Sequence, residues 1–360
     1  MSAPRAERLS QLVAAEQLDA LLVSDLINLR YVTGFTGTNG LALLGPGIRT
    51  FMTDFRYVER AAEEVPDDFD RVRAPQGELA EAVLALLPAR RPLRIGFDDA
   101  HVTVKGHARL AEQLPGGVEL VSAAGIVERL RAVKDPAELE RVGEAAKLAD
   151  AAFAAVVEQG IAGRTEREVA LALEDNMRHA GADEPSFPSI VAAGAHGALP
   201  HAEPRRQPIP SGTLVVVDWG AKVDGYCSDC TRTVATGPLD DAAEEVYALV
   251  KRAQQAALEA LRPGPEGREV DAVARKMIED AGHGERFGHG LGHGVGLEVH
   301  EGPRLAKSGA EPLRAGNVVT VEPGVYVPGS FGVRIEDLVA LTDHDTRVFS
   351  SVSKELMTVG

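Results

Sequence analysis

Asp218, Asp229, His293, Glu322 and Glu336 each sit in a stretch of sequence that would hold a metal-ligating side chain still. The two aspartates belong to Thr213-Leu-Val-Val-Val-Asp218-Trp-Gly-Ala-Lys-Val-Asp-Gly225-Tyr-Cys-Ser-Asp229-Cys-Thr-Arg-Thr-Val234, two strand-like runs joined through the turn signal Asp224-Gly225. A hairpin closing about Val223-Asp224 sets the aspartates directly opposite each other. One closing about Asp224-Gly225 makes them diagonal neighbours on one face. Either register gathers two carboxylates beside a valine-rich strand, where desolvation and repulsion call for a cation between them. Taken alone, the segment would also suit a solvated hairpin with ordinary surface aspartates.

Glycine occupies alternate positions from Gly288 to Gly296 in Phe287-Gly-His289-Gly-Leu-Gly-His293-Gly-Val-Gly-Leu-Glu-Val-His300-Glu-Gly-Pro303. That density forbids a stable helix. His289 and His293 are therefore not the helical histidine pair of a zinc protease, whose glutamate is also missing. The glycines would instead let backbone approach a crowded centre closely. Val318-Val-Thr-Val-Glu322-Pro-Gly reads as an apolar strand ending in a glutamate held by a turn, and Gly332-Val-Arg334-Ile-Glu336-Asp337 alternates so that Arg334 and Glu336 share a face.

The joint occurrence carries the reading. Four carboxylates balance the charge of two divalent ions, and five side chains suffice only if some of them bridge, which is the stoichiometry of a two-metal hydrolytic site. With no thiolate donor, manganese is the first expectation, with cobalt or zinc as alternatives. Cys227 and Cys230, the two cysteines, have C-x-x-C spacing but fall in a strand-like run where residues three apart face opposite ways. They read as small strand residues rather than a redox or zinc motif.

These motifs resemble the "pita-bread" metallopeptidases, specifically the Xaa-Pro aminopeptidase and prolidase branch of the creatinase/aminopeptidase P superfamily. The Arg131-x-x-Lys134 junction and the N-terminal third extend the likeness over nearly the whole chain. The resemblance implies that Asp218 chelates one metal, His293 and Glu322 bind the other, and Asp229 and Glu336 bridge the pair. It further implies substrate-side roles for His201 and His300 and supporting ones for His289 and Arg334, with Glu322 shuttling the proton of a water activated between the metals. The leading expectation is an Xaa-Pro aminopeptidase acting on peptides with proline in second position; the alternative is an Xaa-Pro dipeptidase (prolidase), and a remote one is an inactive binding protein of the same fold. Methionine aminopeptidase usually lacks the large N-terminal domain, and creatinase lacks the ligands. A homodimer is also implied.

The elements that must position these residues fall in two parts. The first third alternates strand and helix signals: a helix around Leu9, Leu12 and Val13, strands at Ala20–Val23, Leu41–Leu44, Thr50–Thr53 and Leu93–Phe97, helices at Arg60–Glu64 and near Val104–Gln113. Asp135, Pro136 and Glu138 then signal the start of a long helix reaching about Val157, and a Thr-x-x-Glu signal opens another from Thr165 to His179. A third helix spans Ala242–Leu261. The expected division is an α/β creatinase-like domain at 1–127, a linker at 128–134, and an α+β catalytic domain with a curved antiparallel sheet at 135–360.

Composition bounds the partners. A net charge of -16, from 38 basic and 54 acidic residues, argues against nucleic acid. Charged residues interrupt Met1–Gln17, unlike a signal peptide, and no run reaches the length of a membrane span, so a cytoplasmic location is expected.

Overall fold

A computed structural model describes residues 4–88, 92–123 and 125–360. The chain separates into two units, Met1–Arg131 and Ala132–Gly360.

The first unit holds β1 (Ala20–Val23), β2 (Gly40–Gly45), β3 (Ile48–Thr53), β4 (Asp70–Arg73), β5 (Leu93–Phe97) and β6 (Val118–Ser122) in one sheet of order β4-β3-β2-β1-β5-β6. β1 pairs antiparallel with β2 and parallel with β5. The sheet is thus mixed. Its central strands are apolar throughout because both faces are covered; all residues of β1 and β2 are buried. The helices are α1 (Arg5–Ala15), α2 (Leu26–Thr33), α3 (Val58–Glu64), α4 (Leu79–Leu84), α5 (Val104–Gln113) and α6 (Ile126–Arg131). Asp25 and Thr103 cap α2 and α5 by accepting from backbone N–H groups three residues on. Residues 128–131, expected in a linker, are the end of α6, whose Ile126, Val127 and Arg131 are buried.

The second unit opens with α7 (Pro136–Glu158), started by the Asp135/Glu138 capping box and Pro136, and α8 (Glu166–His179), started by the Thr165/Glu168 box. Its strands are β7 (Glu184–Pro185), β8 (Ile190–Ala193), β9 (Leu214–Trp219), β10 (Ala221–Val223), β11 (Tyr226–Cys227), β12 (Cys230–Ala235), β13 (Gly292–Gly294), β14 (Glu301–Leu305), β15 (Val318–Val321), β16 (Gly324–Val327), β17 (Phe331–Arg334), β18 (Asp337–Leu341) and β19 (Thr346–Val348). The strand pairs here are antiparallel, as expected, but divided among four small sheets: β12-β9-β8, β11-β10-β7, β14-β13-β15-β18-β19 and β16-β17. Two further helices are α9 (Asp241–Ala260) and α10 (Gly267–Asp280). The second of these was not anticipated, although its buried Val270, Ala274 and Ile278 recur every four residues.

Trp219 fixes the strand that matters most. Its ring stacks on Phe153 of α7 with centroids 4.1 Å apart, and its Nε1 donates to the Ala149 carbonyl at 2.8 Å. β9 is thereby locked against the helix layer one residue beyond Asp218.

Candidate metal centre

The hairpin adopts the diagonal register. Lys222 pairs with Cys227 and Val223 with Tyr226, so the tip is Asp224-Gly225, and β9 pairs with β12 so that Asp218 faces Thr231. Asp224 and Gly225 both have left-handed φ, 47° and 80°, as a type I′ turn requires. Asp229 precedes Thr231 by two positions and so shares its face with Asp218. Both aspartates are buried. Cys227 and Cys230 are buried free thiols on separate short strands.

His293 lies at the middle of β13, wedged between β14 and β15. The flanking glycines make this possible: a Cβ on Gly292 would lie 2.0 Å from the Thr320 carbonyl oxygen, and one on Gly294 2.1 Å from that of Gly302. His293 Nδ1 lies 3.0 Å from the Gly294 carbonyl oxygen, which can only accept. Nδ1 therefore carries hydrogen, and Nε2 faces the carboxylates, 3.2 Å from Glu322 Oε1 and 3.7 Å from Asp229 Oδ2. Donor atoms of Asp229, His293 and Glu336 all lie within 4.8 Å of one another.

Hydroxyls hold the two glutamates. Thr320 Oγ1 donates to Glu322 Oε1 at 3.0 Å and Thr231 Oγ1 to Glu336 Oε2 at 2.7 Å. Asp218 Oδ2 accepts from Arg334 NH2 at 2.7 Å, and the same guanidinium donates to Thr231 Oγ1, the Pro200 carbonyl and the Tyr326 hydroxyl, each at 3.0 Å. Tyr326 in turn meets His289 Nε2 at 2.9 Å. His289, Tyr326, Arg334 and Asp218 thus form one hydrogen-bonded chain.

After these contacts, Asp218 Oδ1 and Glu336 Oε1 remain buried with no hydrogen-bond partner. Burial, reinforced by the neighbouring carboxylates, pushes Asp229 and Glu336 well above the ordinary carboxylate range. Burial also raises Asp218, against the opposing charge of Arg334. Glu322 goes the other way: burial would raise it, but the hydrogen bond and charge of His293 bring it down to about 2. Four buried carboxylates, one imidazole with an inward lone pair and two orphaned oxygens fit divalent cations by donor chemistry.

All nine residues singled out from sequence line one cavity of ≈ 520 Å³: His201, Asp218, Asp229, His289, His293, His300, Glu322, Arg334 and Glu336. The His300 ring packs edge-on against His293 at 4.3 Å, and burial followed by the His293 charge lowers its pKa. Phe187, Pro188, Ile190 and Val299 give the cavity an apolar wall. Four contributors escaped the sequence reading: Thr231, Thr320, Tyr326 and Arg304. The threonines were legible, since each lies two residues from a glutamate or aspartate on the same strand face. Arg304 is exposed, lines the cavity, and pairs directly with His293 across β13 and β14.

Residues 140–343 match the family model for Metallopeptidase family M24, and residues 5–133 match the Creatinase/Prolidase N-terminal domain. The chain belongs to metallopeptidase family M24. A Bacillus subtilis relative, the uncharacterized peptidase YqhT, is 40% identical over 98% of this chain and 99% of its own. The solved Xaa-Pro dipeptidase from Bacillus anthracis is 38% identical, with a TM-score of 0.93 over 98% of this chain and 99% of its own. The X-Pro aminopeptidase from Thermotoga maritima is 34% identical, with a TM-score of 0.88 over 99% and 100%. The M24 chain therefore has the two-part pita-bread architecture, a creatinase-like N-terminal unit followed by the metallopeptidase domain.

Proposed function

We propose that this M24 protein is a two-metal Xaa-Pro dipeptidase, with Asp218 on one cation, His293 and Glu322 on the other, and Asp229 and Glu336 bridging both. The convergence of these five side chains around orphaned carboxylate oxygens carries the metal assignment. Manganese is the preferred ion for so carboxylate-rich a set, with cobalt or zinc as substitutes. When bound, the cations would polarise the scissile carbonyl and make a water molecule acidic enough to attack it near neutral pH.

The protein's own groups supply the rest. Glu322, which lines the cavity with one oxygen 3.2 Å from His293 Nε2, is the carboxylate placed to take the proton of the attacking water and return it to the proline nitrogen. His300, with its lowered pKa, is neutral near pH 7 and offers a hydrogen bond to the developing oxyanion rather than a charge; His201 lines the same cavity. The bond before proline has no N–H to grip, so selection falls to the apolar wall that meets the ring.

Arg304 favours a dipeptide over the longer substrates expected first. Two guanidinium groups line the cavity among the described residues, and Arg334 is committed to Asp218. Arg304, opposite His293, is the cation available for the free carboxylate that an Xaa-Pro dipeptide carries immediately beyond the scissile bond. The neighbour named Xaa-Pro dipeptidase is also somewhat nearer than the one named X-Pro aminopeptidase, 38% against 34% identical.

Steady-state kinetics with manganese on Ala-Pro, Ala-Pro-amide and a longer Ala-Pro-led peptide test this reading. The dipeptide should lead in kcat/KM, and Arg304→Ala should lower that value by about 10–100-fold, mainly through KM, as loss of a charged hydrogen bond does. The amide should be hardly affected. Faster cleavage of the longer peptide would replace this reading with the aminopeptidase one. A cytoplasmic homodimer belongs to the same proposal, the dimer checked by sedimentation velocity and the location by cell fractionation.

A further inference from the structure

A second group of potential ligands lies in the first unit, built wholly from its own elements. Asp98 directly follows β5, His101 stands three residues on before α5, and Glu128 is in the first turn of α6. One donor atom from each lies within 4.8 Å of those of the other two. The backbone makes the first pair rigid, because the Asp98 carbonyl accepts from both the His101 and Val102 amides. Asp25, the cap of α2, adds a carboxylate oxygen 3.4 Å from His101 Nδ1.

The local hydrogen bonds leave a gap in this group. Asn28 spends both amide hydrogens on the cluster, one to Asp98 Oδ2 at 3.0 Å and one to Glu128 Oε1 at 2.7 Å, while its own oxygen accepts from Arg131. Asp98 is only 6% exposed, and its Oδ1 is buried without any partner. An unsatisfied buried carboxylate oxygen is costly, and the residue that carries it has a donor atom within reach of an imidazole and a second carboxylate.

We propose that Asp98, His101 and Glu128 form a site for one divalent transition-metal ion, zinc by preference, separate from the catalytic centre. Two carboxylates and an imidazole suit zinc, whereas calcium and magnesium favour oxygen-only shells. His101 is partly exposed and provides the entry path, leaving a position for water. Because the ligands come from the turn after β5 and from α6, the ion would cross-link these elements and act as a structural brace.

The test uses full-length protein and zinc alone. In an Asp229→Asn/Glu336→Gln background, which disables the catalytic ligand set, equilibrium dialysis with elemental analysis should find one zinc per chain. Adding Asp98→Asn or His101→Gln should weaken that binding by about tenfold or more. His101→Gln in the otherwise native chain should lower zinc content by one while leaving peptidase activity in place. This variant alters a partly exposed side chain, so folding does not obscure the result. No zinc in the double-substituted background, or equal zinc content with and without His101, overturns the proposal; neither outcome depends on which peptide the enzyme cleaves.

Discussion

Glu336 and Asp337 are sequence neighbours, both 1% exposed, yet they live in opposite company. Asp337 faces Arg232 NH2 at 2.8 Å, Lys354 Nζ at 2.8 Å and Gln254 Nε2 at 2.9 Å, so its charge is answered by two cations and an amide. Glu336 accepts from one hydroxyl and is crowded by three other carboxylates with Arg334 as a weaker counter-charge, and it keeps an oxygen with no partner. Alternation along extended backbone sends the two side chains to different sides. Burial alone therefore says little about role; what separates a brace from a ligand is whether the protein itself neutralises the charge.

The greatest contrast should come from replacing the two in turn. Glu336→Gln should cut kcat/KM by more than about 10³-fold while leaving the metal-free fold as stable as before or more so, since a repelling charge is removed. Assays with saturating manganese and urea midpoints in chelator check both halves. Asp337→Ala should do the reverse: it strands Arg232 and Lys354 and costs about 3–5 kcal/mol of stability. The specific activity of its folded fraction should stay within a few-fold of native. An Asp337 variant that is stable but inactive would erase the distinction.

A smaller effect should appear in the pH profile. In metal-free protein Asp229 and Glu336 have raised pKa values, so the folded chain holds more protons than the unfolded one from the ordinary carboxylate value, about 4, upward. Stability should consequently fall as pH rises through that window, and saturating manganese should remove the slope. A flat urea-midpoint profile in chelator would mean that these carboxylates do not repel.

Much of the candidate ligand cluster was legible because its carriers have strong local signals: a valine strand with an Asp-Gly turn, a glycine-alternating run, and a glutamate before Pro-Gly. The capping residues Asp135 and Thr165 were equally plain, because the hydrogen bonds they make are local in sequence. Arg304 was not, since Gly302-Pro303 interrupts the strand pattern of β14 and hides its pairing with His293. The proposed preference for a dipeptide draws on that one exposed side chain, which no motif in the sequence singled out. Asp98, His101 and Glu128 come from separate segments joined through Asn28 of α2, which donates to both carboxylates, with no motif to announce it. Helix α10 follows the breaker-rich Pro263-Gly-Pro-Glu-Gly267, which obscured its start.

The two-residue tip at Asp224-Gly225 has an engineering consequence. Deleting one residue there would change the parity of the pairing and turn Asp218 and Asp229 to opposite sides, because each strand position alternates faces. The tip is also tied down, with Gly225 buried and Asp224 paired with Arg141 of α7. An engineer should therefore leave its length alone and attach a reporter elsewhere.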